Sequence, residues 1–252
     1  MQQKVLLEEM TWPEVKAALE KADTVLVPIG SIEQHGPHLP LGTDAIAPFE
    51  FAKQVAEKIG ALVAPAIRPG ISPHHMPFPG TITLSPTTFI GLIQDYCRCL
   101  AKHGFRRIVL LNGHGGNSSC VGVAVTELHQ ELPDLQILAF DWWIFIPREL
   151  GRTMGMEEGI HANKMETSWM LALTPHLVNM DEAVAELPDY PEGMTPDKFG
   201  LFMSTVKTIS DISKSGVVGD ATQASKELGE ECLSKAVENM ARALEEIGKI
   251  RR

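Results

Sequence analysis

Thr24-Val25-Leu26-Val27-Pro28-Ile29 runs directly into Gly30-Ser31-Ile32-Glu33-Gln34-His35-Gly36-Pro37-His38-Leu39-Pro40-Leu41-Gly42-Thr43-Asp44. The first part is apolar and β-branched and reads as a buried strand. The second part is rich in Gly and Pro and carries polar groups able to bind a metal or move a proton. Beyond it, Phe49, Ala52, Val55, Ala56 and Ile59 repeat with helical spacing over Pro48 to Ile59, and Gly60 ends the stripe. A loop of this kind directly after a strand is where an α/β protein keeps its chemistry. Glu33 and His35 lie two apart, and such residues of an extended segment point the same way. Asp44, after the Pro-rich turn, either caps the next helix or closes on the same point.

Working outward, Thr11-Trp12-Pro13-Glu14 opens a helix that runs to Ala22. Ala61 to Ala66 reads as a strand, Gly70 to Thr81 as a loop and Thr88 to His103 as a helix closed by Gly104. Arg107 to Leu111 is a buried strand that enters Asn112-Gly113-His114-Gly115-Gly116-Asn117, followed by a helix over Ser118 to Glu131. Leu135 to Phe140 is a strand leading to Asp141-Trp142-Trp143. Ala162 to Leu173 is a helix holding Glu166, and Ala221 to Ile250 is a long helix, broken near Gly229. Residues 181–215 show little periodicity and read as irregular surface or a subunit contact. Strand and helix alternate, which calls for an α/β fold with a mostly parallel sheet and helices on both faces. One domain over residues 1–252 is the simplest division.

Hydrophobic residues make up 44% and charged residues 21% of the chain, the balance of a globular protein. A net charge of -10 argues against nucleic acid or an anionic membrane surface as partner. Cys97, Cys99, Cys120 and Cys232 form neither C-x-x-C nor a spaced zinc framework, and fit a reducing compartment. There is no apolar leader and no run long enough to span a membrane, so a cytoplasmic enzyme is expected.

Two loops that follow parallel strands share one sheet edge. Glu33, His35, Asp44 and His114 can therefore meet although far apart in sequence. Three imidazole or carboxylate donors with an open position suit a catalytic divalent metal, and two metals sharing a carboxylate need a larger set. The His114 loop is neither G-x-G-x-x-G nor a P-loop. Its glycines suit close backbone approach and a sharp turn into a helix. His161 has the pKa range for acid/base work, and Glu166 within an apolar helix needs a partner such as a metal. His74 and His75 can line the pocket and His38 can stand behind it; His103 is read as structural, His129 and His176 as surface residues. No G-x-S-x-G is present and no cysteine has an obvious general-base partner in sequence, so a serine or thiol hydrolase is not expected.

G-S-I-E-Q-H-G-P-H-L-P-L-G-T-D (Gly30 to Asp44), F-P-G-T (Phe78 to Thr81), N-G-H-G-G-N (Asn112 to Asn117), H-A-N-K-M-E-T-S (His161 to Ser168) and G-V-V-G-D (Gly216 to Asp220) together resemble the creatininase (creatinine amidohydrolase) family. The resemblance implies a three-layer α/β/α sandwich, hexameric assembly, and two divalent metal ions, with Zn favoured over Mn or Fe. It implies hydrolysis of a C–N amide bond in a small cyclic, lactam or formamide-type substrate. Glu33 and His114 would hold one metal, His35 and Glu166 the other, and Asp44 would bridge them. His161 would be the acid/base residue, with Glu166 beside it in the catalytic set. His75, Trp142, Gly115, Gly116 and Asn163 would line the substrate pocket. Gly116 stands where creatininase has a glutamate ligand, and Glu166 would take that role. Glu157 stands where creatininase closes a tryptophan over its substrate, which speaks against creatinine. Deformylation, trimming of a small peptide, or metal binding without turnover are the other readings of the same site.

Overall fold

The computed structural model describes residues 4–156, 159–188 and 207–249. Its centre is a parallel sheet of four strands, β1 (Thr24–Ile29), β2 (Leu62–Val63), β3 (Arg107–Asn112) and β4 (Gln136–Asp141), in the order β2-β1-β3-β4. Alternate residues of β1 and β3 enter different cores. Leu26, Val109 and Leu111 face one layer, Val25, Val27, Ile108 and Leu110 the other. Helix α2 (Thr43–Ile59), helix α6 (Lys164–Leu173) and helix α7 (Lys226–Lys249) cover the first face; helix α3 (Pro86–His103) and helix α4 (Ser118–Glu131) cover the second. The short helices α1 (Trp12–Leu19) and α5 (Arg148–Thr153) sit at the margins. The outcome is the expected three layers with helices on both faces. No described helix is long and apolar enough to cross a membrane.

From β1 the chain moves outward to β2, then returns past β1 to β3 and on to β4. The strand order therefore reverses direction between β1 and β3, and the carboxyl ends of these two strands bound a crevice. The loop from Gly30 leaves one lip and Gly113-His114 leaves the other. Pro28 is tolerated in this central strand because it faces the β2 side, where its carbonyl accepts from Ile67 N–H at 2.9 Å. Its missing N–H costs no bond to β3.

Several sequence readings shift; among them, α1 ends at Leu19, not Ala22, and α7 begins at Lys226, not Ala221. The second strand pairs only over Leu62–Val63, since Pro65 lacks the donor needed to continue. Helix α2 starts at Thr43, not Pro48, so Asp44 lies in its first turn. Helix α6 begins at Lys164 rather than Ala162, because Ala162 is left-handed, with φ 49°. Helix α7 passes Gly229 unbroken. The irregular stretch expected at 181–215 lies in part outside the described residues; within it, strand β5 (Ala185–Glu186) pairs antiparallel with β6 (Gly219–Asp220).

Helices α6 and α7 pack closely, and Gly229 is the point of approach. A side chain there would collide with the Ser168 carbonyl of α6. On an open helix surface, Gly→Ala raises stability by about 1 kcal/mol. Here, overpacking against backbone outweighs that gain. Gly229→Ala is expected to lower stability by about 1–3 kcal/mol, read as a lower melting temperature by circular dichroism.

Candidate metal centre

The crevice between β1 and β3 is floored by buried polar side chains. Glu33, His35, Asp44, His114 and His161 are each 6% exposed or less. Asp44 sits at the middle. Its Oδ1 lies 3.0 Å from His35 Nε2, and its Oδ2 lies 2.9 Å from His114 Nδ1. On the His114 side, Glu33 Oε2 is 3.2 Å from His114 Nε2. On the His35 side, Glu166 Oε2 is 3.9 Å from His35 Nε2. Three groups bring three potential donors within metal-binding reach: Glu33, Asp44 and His114; His35, Asp44 and Glu166; and Glu33, His35 and His161. The first two share Asp44.

Local structure explains how Asp44 reaches this place. Gly30 and Gly113, at the ends of β1 and β3, both press on its backbone; a Cβ on either would lie 2.5 Å from the Asp44 carbonyl oxygen. Pro48, four residues on in α2, has no N–H to offer that carbonyl. Asn117 ties three loops together. Its Nδ2 donates to Gly30 O at 2.9 Å and to Asn112 Oδ1 at 3.1 Å, while its Oδ1 accepts from Ile71 N–H at 2.8 Å. Asn112 in turn donates to His114 O and to Asp141 Oδ1, both at 2.7 Å. Ser72 donates to Glu33 Oε2 in a short hydrogen bond. Glu33 Oε1 is buried without a hydrogen-bond partner, although His75 Nε2 comes within 3.3 Å of it. A bare, buried carboxylate oxygen beside imidazoles is a vacant donor site.

The electrostatics follow from burial and charge. Burial, countered in part by His114, pushes Glu33 up to about 7, and burial raises Glu166 to about 7. Burial opposes charge on His35, but Asp44 outweighs it and lifts the imidazole to about 10. His114 is lifted against burial by Glu33 and Asp44 to about 9. Burial alone would raise Asp44, yet His35 and His114 hold it far below the usual carboxylate range. Burial, with charge on His35, keeps His161 neutral, well below the usual histidine range.

The expected metal donors Glu33, His35, Asp44, His114 and Glu166 thus come together on one floor. His75, Gly115, Gly116, His161 and Asn163 line the adjoining cavity, about 370 Å³ in volume. Trp142 does not. It is fully buried, 4.8 Å from Phe51 and 4.3 Å from Trp169 between ring centroids, in the α2 and α6 layer. Its neighbour Trp143 lines the cavity instead, because the chain turns into a 3-10 helix straight after β4. Asn163 spends its amide on structure: Oδ1 caps α6 through Met165 N–H and Glu166 N–H, and Nδ2 donates to Gly159 O. That cap aims Glu166 inward. Glu157 lies outside the described residues. His38 lies behind the floor, its Nε2 2.8 Å from Thr167 Oγ1. Ser72 and the apolar wall of Trp143, Met156, Met165, Trp169 and Ile209 were not assigned to the site from sequence, and Gln34 and Asn117 stood inside quoted motifs without a role of their own.

A family model described as Creatininase: Creatinine amidohydrolase matches residues 8–244. The creatinine amidohydrolase of Pseudomonas putida is 34% identical over 263 residues, covering 98% of each chain. The mycofactocin precursor peptide peptidase of Mycolicibacterium smegmatis is 34% identical over 225 residues, covering 86% of this chain and 82% of that one. A crystal structure of creatinine amidohydrolase superposes with a TM-score of 0.84 at 31% identity, covering 99% of this chain and 100% of that one. Similar solved structures include creatininases in a Zn-Zn form and an Mn form.

The shifted groups set a pH dependence for protein kept in chelator. A group whose pKa is raised by folding contributes stability below its unfolded value and loses it as pH rises through the folded value. Glu33 and Glu166 lose theirs between 4.5 and about 7, His35 and His114 between 6.5 and about 9 to 10. All four act in the same direction. The melting temperature of chelated protein is expected to fall from pH 7 to pH 10, and added zinc to restore it most at the alkaline end, where the donors have shed their protons.

Proposed function

We infer that this chain, which belongs to the creatininase family, is a metal-dependent hydrolase that cleaves the C–N amide bond of a small cyclic, lactam or formamide-type molecule. The observation that carries the reading is Asp44, whose two oxygens serve two donor sets at once. The residues fit a pair of divalent ions: two imidazoles and three carboxylates converge, and Glu33 Oε1 is unclaimed. Glu33, Asp44 and His114 would hold one ion, His35, Asp44 and Glu166 the other. Carboxylate and imidazole donors suit zinc, and also manganese or iron. When bound, such ions activate water near neutral pH and polarise a carbonyl oxygen.

The chain's own residues supply the rest. Neutral His161 stands within 3.8 Å of Glu33 Oε1, placed to take a proton from the attacking water and hand it to the leaving nitrogen. Glu166, whose Oε2 accepts from Ala162 N–H, is held facing His35. Trp143, Met156, Met165 and Trp169 offer an apolar wall that holds a compact substrate and excludes solvent. Gly115 has open space beside its backbone, whereas Gly116 lets the chain close on the His114 ring, where a Cβ would collide with Nε2. The likeness to a peptide peptidase favours a second reading, trimming of a short peptide in the same cavity. The cytoplasmic location and the homo-oligomeric, hexameric assembly implied by the resemblance belong to this proposal.

Metal analysis and a substrate panel test it. Purified protein is expected to carry about two equivalents of divalent metal. Asp44→Asn should lose both, and Glu33→Gln the ion on the His114 side. On a panel of lactams, cyclic ureides, formamides and short peptides, either substitution should lower turnover by more than the about 10–100-fold that losing an outer partner of a metal ligand costs. Full metal content and full turnover in Asp44→Asn would refute the assignment.

A further inference from the structure

Gln34 separates Glu33 from His35, and no step above uses its side chain. It is 5% exposed. Both ends of its amide are pinned by backbone groups that have only one polarity. Oε1 accepts from Gly36 N–H at 2.9 Å. Nε2 lies 3.1 Å from the Gly216 carbonyl, which can only accept. The amide orientation is therefore set without reference to any histidine, and it can be used to assign the histidines. Gly216 is shaped for this contact: it has φ +85°, and any Cβ there would run into the Gln34 amide.

Nε2 carries two hydrogens. One is directed to Gly216 O. The other meets His75 Nδ1 at 2.8 Å. That nitrogen must accept, so neutral His75 carries its proton on Nε2, the edge facing Glu33 Oε1. No hydrogen remains for His161 Nε2, which lies 3.0 Å away. His161 Nε2 instead has the main-chain carbonyl of Gln34 at 2.7 Å. A carbonyl accepts only, so this ring also carries its proton on Nε2. Its Nδ1 keeps a free lone pair and lies 3.8 Å from Glu33 Oε1. The ring is held on both sides, by His35 at 4.3 Å and His75 at 4.4 Å between centroids.

We propose that Gln34 is a positioning residue. Through its amide and its own carbonyl it holds His75 and His161 as Nε2–H tautomers, leaving His161 Nδ1 as the open base of the site. The inference rests on the reading of His161 as the proton carrier, but its test does not need turnover. The full chain, labelled with 15N at histidine and supplied with zinc, is observed by long-range proton–nitrogen NMR. Signals are assigned through His75→Gln and His161→Gln. The expected result is a protonated Nε2 and an unprotonated Nδ1 in both rings. A protonated Nδ1, or averaged tautomers, in either ring overturns the proposal.

Gln34→Glu keeps the shape but replaces the donor with an acceptor, and should move the His75 proton to Nδ1. An unchanged His75 spectrum in the folded variant overturns the proposal as well. Gln34→Met, which can neither donate nor accept, should leave His75 averaging between tautomers. On any panel substrate that the natural protein hydrolyses, Gln34→Glu should lower kcat by about 10–100-fold with KM and zinc content retained. A parallel loss of zinc would mark Gln34 as merely structural. Fixed tautomers in a protein that hydrolyses no amide would sink the proposed function and leave the positioning role. Tautomers that exchange in an active hydrolase would sink the positioning role alone.

Discussion

The Asp44 carboxylate between His35 and His114 is the contact on which the rest of the molecule turns. Burying a carboxylate is costly unless charge or hydrogen bonds answer it. Here two imidazoles answer it, one at each oxygen, and each imidazole has a further carboxylate beyond it. The arrangement forms because the sheet leaves a crevice where its strand order turns, and because glycines at the ends of β1 and β3 let the first turn of α2 descend into it. Replace that descent with an ordinary helix entry and the floor has no centre.

Above this floor the cavity changes character. The polar side chains come from strand ends and the loops tied by Asn117, while the wall comes from the 3-10 turn after β4 and from the region around α6. Relatives of this chain bear names that imply different substrates, creatinine in one case and a precursor peptide in another. A division between floor and wall gives such divergence a physical basis, because wall residues can change size without disturbing the donors beneath them.

Much of this was legible in the residues. Apolar, β-branched runs located β1 and β3, helical stripes located the main helices, and their alternation called for a parallel sheet with helices on both faces. The E-x-H spacing and the N-G-H-G-G-N turn marked Glu33, His35 and His114. What sequence could not convey was choice between equivalents. Trp142 and Trp143 are adjacent and chemically alike, and only the turn after β4 decides which one enters the core. Asn163 lines the cavity as expected, but its amide is already engaged, Oδ1 by the α6 cap and Nδ2 by Gly159 O. Gly229 read as a helix breaker, since a close approach by another helix leaves no mark on the local pattern. The entry of α2 was placed too late because Pro48 resembles a first-turn proline, while the helix had already begun at Thr43.

The left-handed Ala162 gives the two donor sets unequal footing. Glu33, Asp44 and His114 hang on the sheet and the first turn of α2, the most deeply anchored parts of the fold. Glu166 reaches the floor only because the chain takes a conformation at Ala162 that a β-carbon disfavours, and because α6 is pressed in place by α7. A local opening that frees α6 would withdraw Glu166 and leave Glu33, His35, Asp44 and His114 standing. The centre therefore has a fixed half and a detachable half, and its completeness is a measure of how firmly the last helix of the chain is seated.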